Sequence, residues 1–372
     1  MKVQRHSLMP AAPGAHFELV SLHYGACSVE HKATIQAALH ADEVPGMLVA
    51  WHLRRMLDAL EAEGRIAGEV VLVPAANPVG MNQWLLRGAQ GRFEFASGEN
   101  FNRHYADLTE TVFAAVGAQL GADAQANVRT VRAALRQAVA GLPAASTVQN
   151  LRNTLLGLAI DADIVLDLHC DGEALLHLYT TPVLWPQAES LARCMGCELA
   201  LLAERSGDDP FDEACSMVWP QLAARLGPGV SLPDACMAAT IELRGEADVV
   251  HEWAERDALG IIAFLTARGI VTGGGAEPGP QCCEAFPLSG SIPLIAPHGG
   301  LVAFVRKPGD RVRCGDRIAD LIDPITGALT PIDAPVDGLF FARDNRRYAV
   351  AGMSLGKVAG RDALRQGKLL SA

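Results

Sequence analysis

Apolar and polar residues alternate in blocks along the first 270 residues or so of the chain. Six apolar runs have strand length, at 17–26, 34–39, 69–78, 163–170, 173–180 and 238–243, and helical stretches separate them. The stretch "VPGMLVAWHLRRMLDALEAEG" (44–64) is the clearest helix. Its Leu53, Met56, Leu57 and Leu60 recur at i, i+3, i+4 and i+7, Pro45 falls in the first turn, and Gly64 lies past the end. Strands alternating with helices predict an α/β domain built on a mixed, largely parallel sheet with flanking helices. Between residues 106 and 160 the pattern becomes Ala-rich and helical with no strand, which reads as an insertion able to wall or cap a cleft.

Beyond residue 270 the texture changes. "VTGGGAEPGPQCC" is a Gly/Pro-rich joint that marks a boundary near residues 272–281. "APHGGLVAF" (296–304) and "APVDGLFFA" (334–342) then form a near-repeat offset by 38 residues, with hairpin signals between them. This resembles a barrel-sandwich hybrid, the fold of biotinyl and lipoyl carrier domains. Residues 314–335 contain no lysine to modify, so the reading is a small structural all-β domain. The expected organisation is a catalytic domain at 1–272 and a C-terminal β-domain at 282–372.

Composition narrows the function classes. With 31 Lys plus Arg against 42 Asp plus Glu, the 372-residue chain carries a net charge of −11 and has no basic run, which disfavours nucleic acid as a partner. No apolar run approaches the ~18 residues of a membrane span, and "MKVQRHSLMPAAPG" lacks the apolar core of a signal peptide, so a cytoplasmic protein is expected. The nine cysteines include no paired C-x-x-C units and read as buried thiols. A homo-oligomer is compatible with all of this.

Chemistry enters at strand ends, where open α/β sheets bind ligands. His40 and Glu43 follow the run at 34–39 with the spacing H-x-x-E, and His169 closes "IVLDLHC" two residues after Asp167, on the same strand face. Two histidines and one glutamate form the donor set of hydrolytic zinc sites, with a fourth position open for water. One Zn2+ per chain is therefore expected. Bound zinc lowers the pKa of its water toward ~7, and the reaction then needs a base. Glu242 in "TIEL" is the candidate, because a carboxylate at the end of an apolar strand is costly unless it is paired or functional. Arg244 lies two residues on, on the same predicted face, as a candidate for holding substrate or for a structural pair with Glu242. The loop "NPVGMNQWLLRGAQGRFEFASGENFNRHY" adds Arg87, Arg92, Asn102 and Arg103. Asn102 with Arg103 would make a small carboxylate receptor, and a further arginine near the metal would stabilise an oxyanion.

With "LHADEVPG", "NPVG", "GENFNR", "DLHC" and "TIEL" in this order, the chain resembles the succinylglutamate desuccinylase/aspartoacylase group, itself similar to the zinc carboxypeptidases. The resemblance spans most of residues 15–270, and the group also carries a C-terminal β-domain. It implies zinc on His40, Glu43 and His169, Glu242 as base, Asn102 and Arg103 on the substrate's carboxylate, and Arg92 rather than Arg87 on the scissile carbonyl. Where members of the group read DLNR, this chain reads NFNR, a change expected to bear on acyl preference. The implied activity is zinc-dependent hydrolysis of the amide bond in a small N-acyl amino acid. The rivals are a zinc carboxypeptidase acting on short peptides and a non-catalytic binding protein on the same fold.

Overall fold

The computed structural model describes residues 1–26, 31–273 and 283–370. Most of the Gly/Pro-rich joint, with Cys27 and Cys282, lies outside the described residues.

Nine strands build one large sheet: β1 (Lys2–Ser7), β2 (Glu18–Gly25), β3 (Lys32–Ala37), β4 (Glu69–Val73), β5 (Ile164–Asp171), β6 (Leu176–Thr180), β7 (Leu199–Leu202), β8 (Met237–Gly245) and β9 (Glu284–Pro287). Their spatial order is β1-β2-β4-β3-β5-β8-β6-β7-β9. The central run β4-β3-β5-β8 is parallel, as are β6-β7-β9, and β8 meets β6 antiparallel. The sheet is therefore mixed, with a parallel centre whose strand ends share one side.

Both faces of that centre are covered, which is why β5 reads as a nearly unbroken apolar run. Helices α1 (Pro45–Ala62), α5 (Trp185–Met195) and α8 (His251–Ala267) cover one face, burying Leu53, Leu57, Leu191 and Phe264. On the other face lie α2 (Thr109–Val116), α3 (Ala124–Ala140), α4 (Thr147–Ala159), α6 (Phe211–Ser216) and α7 (Val218–Ala223), whose Val112, Leu135, Leu155, Phe211 and Trp219 form the second core. Each fully buried side chain of this size contributes roughly 1.5–3 kcal/mol of transfer free energy.

The sequence pattern missed the two strands β1 and β7. β1 is largely exposed at the sheet edge and β7 is only four residues long, so neither carries a strong period. The run at 69–78 ends as a strand at Val73, because Asn77 and Pro78 start a short helix. Residues 284–287 belong to the large sheet as its edge strand, so the separate antiparallel sheets begin only at Ser291. These are β10 (Ser291–Ile295), β11 (Gly300–Phe304), β12 (Arg311–Val312), β13 (Arg317–Ile322), β14 (Leu329–Asp333), β15 (Gly338–Arg343), β16 (Tyr348–Ala349) and β17 (Ser354–Ala359). They pair as β10-β17-β15-β12 and β14-β13-β11-β16 around their own apolar core. The β-domain is joined to the large sheet: the short strand Glu173–Ala174 pairs with β15, and Phe341 packs with Leu199 and Leu201 in a shared core.

Candidate active site

The turn after β3 carries the first two candidate ligands. Ala38 there has φ +60°, which turns the chain out of the strand. Asn77 pins the turn from below, donating from Nδ2 to Leu39 O (2.9 Å) and accepting from Gly80 N (2.8 Å). The "NPVG" motif thus places its fully buried asparagine on main chain and leaves it off the cavity wall. Gly91 lies flat against the same turn, its carbonyl accepting from Ala41 N at 3.0 Å. A Cβ on Gly91 would stand 2.2 Å from Asp42 N, so this approach requires glycine. The contact delivers the next residue, Arg92, to Glu43: Arg92 Nη2 donates to Glu43 Oε1 at 2.8 Å. Arg87 sits exposed in the tip of the hairpin Trp84–Ala89 with φ +72°.

His40, Glu43 and His169 converge, their candidate ligand atoms all lying within 4.8 Å of one another, and all three are buried. His40 Nδ1 is 2.8 Å from Glu43 Oε1, and His169 Nδ1 is 2.7 Å from Glu43 Oε2. The far ring nitrogens are braced. His40 Nε2 lies 2.8 Å from Asn100 Oδ1, which also accepts from Asn102 N at 2.8 Å, and this second bond identifies the facing atom as oxygen. His169 Nε2 lies 2.9 Å from Asp167 Oδ2. With protons assigned to both Nε2 atoms, two Nδ1 lone pairs face a carboxylate at contact distance. Such a convergence of donor atoms suits a cation between them, and histidines oriented by a second group on the opposite nitrogen are the usual metal-site pattern. The residues fit a zinc ion.

Without an ion, the electrostatics set the two histidines apart. Burial, and after it Arg92, pushes His40 down to about 4, so its ring is neutral. Burial opposes the charge on His169 and Glu43, but Asp167 and Glu43 together hold His169 well above the ordinary imidazole value. His40, His169 and Arg92 in turn hold Glu43 well below the carboxylate range.

Glu242 enters the same cavity from β8, the strand beside His169 in register. Its Oε2 is buried without a partner, and burial, reinforced by Glu43, pushes its carboxyl up to about 8. Thr240 lines the cavity with it, as strand alternation predicts, but Arg244 does not. The ladder shifts register between Glu242 and Gly245, Arg244 takes φ +66°, and its guanidinium forks onto Asp257 of α8 at 2.7–3.0 Å. The bulge breaks the period-2 rule and turns this side chain to the opposite face of the sheet.

Asn102 and Arg103 line the cavity and are buried. Asn102 Oδ1 accepts from Phe211 N at the start of α6 (2.9 Å), its Nδ2 stands 3.4 Å from His169 Nε2, and Arg103 Nη1 donates to Asn102 O at 2.7 Å. Three further residues of the site are not singled out by the sequence reading. Asn100 braces a ligand, Tyr179 lines the cavity from β6, and Lys357 reaches in from β17 of the β-domain to bond Asp171. Among the described residues none from the 106–160 insertion lines the cavity. Instead α4 props the site from behind, Arg152 donating to Asn100 O and Glu99 at 2.8 Å each. The cavity measures about 870 Å³, counting the space open to solvent at its mouth.

Residues 30–217 match the model of the succinylglutamate desuccinylase/aspartoacylase catalytic domain. The chain belongs to that family. Among solved structures it is similar to a family protein of Shewanella amazonensis (27% identity, TM-score 0.85, covering 96% of this chain and 98% of that one). It is similar also to one of Shewanella frigidimarina (25%, 0.84, 96% of each). A succinylglutamate desuccinylase/aspartoacylase of Rhodobacter sphaeroides shares the fold at 15% identity, with a TM-score of 0.69 over 97% of this chain and 96% of that one. No curated protein matches the chain by sequence. The DLNR expected from the resemblance falls on Asn100–Arg103, so the chain's departure from it lies at the brace of His40: an amide stands where a carboxylate was expected.

Proposed function

We propose that this family member is a zinc-dependent amidohydrolase that removes the acyl group from a small N-acyl amino acid. The observation that carries the reading is the pair of braced histidines aimed at one glutamate, with the orphaned Glu242 Oε2 in the same cavity. His40, Glu43 and His169 would hold the metal, which when bound polarises the amide carbonyl and acidifies a water molecule.

The remaining work falls to the chain. Arg92, held by Glu43, presents its guanidinium to the cavity and stabilises negative charge developing on the carbonyl oxygen. Glu242 takes the proton of the attacking water and passes it to the leaving nitrogen. Its elevated pKa makes it a strong enough base to accept that proton and an acid able to give it up near neutral pH. Arg103 and Asn102 receive the α-carboxylate of the amine half. The β-domain packs against the sheet beside the site and contributes Lys357, which suits a small substrate better than a peptide.

The test is metal analysis followed by an amine-release screen against N-acetyl, N-succinyl and N-formyl amino acids. About one zinc per chain and amine release that chelation abolishes are expected. Protein that takes up no zinc on repletion, or zinc-loaded protein that releases amine from none of the three classes, would overturn the reading.

A further inference from the structure

Past Arg103 the cavity wall changes character. Leu201, Ala203, Leu288 and Leu370 line it there. This wall is the cavity-side edge of the core shared with the β-domain, in which Leu199, Leu201, Phe286, Leu288 and Phe341 are buried; Ala203 and Leu370, part-exposed, pack against it with Leu369.

The segment that carries Leu370 is tied down at several points. Ser206 O accepts from Leu369 N (2.9 Å) and from Leu370 N (3.4 Å), Arg365 Nη2 donates to Leu369 O (2.7 Å), and Lys368 Nζ pairs with Asp208 (2.8 Å). The loop it grips is strained: Gly207, Asp208 and Asp209 all have positive φ, at 116°, 60° and 48°. That loop accepts main-chain bonds from His104 N to Asp208 O (2.8 Å) and from Tyr105 N to Asp209 O (3.0 Å), directly after Arg103. The apolar wall, the loop and the carboxylate anchor are thus one connected assembly.

The charges nearby do not suit an acidic ligand group. Asp212 and Glu213 line the same end of the cavity. Glu213 Oε1 is committed to Ser206 N at 2.6 Å, and Asp212 faces Arg103 with its carboxyl pushed up to about 7, first by burial and then by Glu213, which shows that this end of the cavity already resists negative charge. A further carboxylate placed there would meet two others in a buried space, and the cavity's other described cations are already paired, Arg92 with Glu43 and Lys357 with Asp171.

We propose that this wall is a subsite for an uncharged, apolar side chain on the amine half of the substrate, closed by Leu370, so that the enzyme releases amino acids of the leucine or methionine type rather than aspartate or glutamate. The assignment rests on the deacylase reading, with Arg103 holding the α-carboxylate.

The test compares kcat/KM of zinc-loaded protein for N-acetyl-leucine, N-acetyl-methionine, N-acetyl-aspartate and N-succinyl-glutamate. The apolar substrates are expected to lead by at least about 100-fold. Leu370→Ala should lower kcat/KM for N-acetyl-leucine by about 10-fold, mainly through KM, with a loss that shrinks as the side chain shortens toward N-acetyl-glycine. Thermal unfolding with added products gives a readout independent of turnover: leucine should raise Tm and aspartate should not. A preference for the acidic substrates, or protection by aspartate over leucine, overturns the subsite. Turnover of none of them alongside protection by leucine overturns the deacylase reading and leaves the apolar subsite standing.

Discussion

Glu43 and Glu242 are buried carboxylates of one cavity, and their surroundings push them in opposite directions. Glu43 is ringed by two imidazoles and a guanidinium and stays ionised, whereas Glu242 has an unpartnered oxygen and a raised pKa. Glu242→Gln is therefore expected to keep zinc and lower kcat by roughly 10²–10⁴-fold, while Glu43→Gln and His169→Ala should lose the metal. Metal analysis of each variant beside its turnover separates the roles, and near-native turnover in Glu242→Gln would place the proton shuttle elsewhere. Asn100 bears on the proposed metal site from outside the ligand set. Because it orients His40 through Nε2, Asn100→Ala should weaken zinc binding by about 10- to 100-fold in chelator competition. An unchanged affinity would mean that the turn alone holds His40. Residue types at strand ends are enough to single out His40, Glu43, His169 and Glu242, which the structure brings to one cavity. Asn100 was visible as a departure from the family motif, but its task was not, because nothing local links residue 100 to residue 40. Lys357 was illegible for the same reason: a lone lysine in a β-strand becomes part of the site only once two distant segments pack together.

At the scale of elements, β8 shows where pattern reading fails. Alternation correctly places Thr240 and Glu242 on the cavity side, then stops at the bulge, and Arg244 points the other way. Its fork onto Asp257 ties the end of β8 to α8, with the guanidinium lying over the Trp253 ring and side-chain exposures of only 11% and 2% for the two partners. Removing one member of such a pair strands the other charge. Arg244→Ala is expected to cost about 3–5 kcal/mol of stability in urea unfolding, while the folded fraction keeps kcat/KM within about twofold. Arg244→Met with Asp257→Leu should recover much of the loss. A variant of native stability with a raised KM would instead return Arg244 to the substrate. The helical insertion was read correctly as helix and misjudged in position. Its composition predicts α2 to α4, but only the sheet decides that these helices cover a face rather than the cavity.

For the molecule as a whole, the consequential joint is the one between the large sheet and the β-domain, because Tyr179, Lys357, Leu288 and Leu370 all reach the cavity from it or beside it. The Gly/Pro-rich composition and the near-repeat announced a second β-rich unit, but not that β9 would complete the large sheet or that β15 would pair with Glu173–Ala174. Such pairings depend on register between segments more than eighty residues apart. His177 lies inside this joint, fully buried on β6. Its Nδ1 is bonded to Leu175 O at 2.8 Å, and its ring is edge-on to Phe341 at 5.2 Å. Burial pushes its pKa from 6.5 down to about 4, so the folded protein holds the ring neutral where the unfolded chain would protonate it. The unfolded state then binds more protons below pH 6.5, and stability falls with pH through the window from 6.5 to about 4. By linkage His177 alone removes about 2 kcal/mol at pH 5 relative to pH 7.5. His177→Gln, which cannot charge, should lose correspondingly less over that interval whatever its stability at pH 7.5. Urea unfolding of both proteins at the two pH values measures the difference. Equal losses would show that the ring already titrates normally, and hence that water reaches the joint between the sheet and the β-domain.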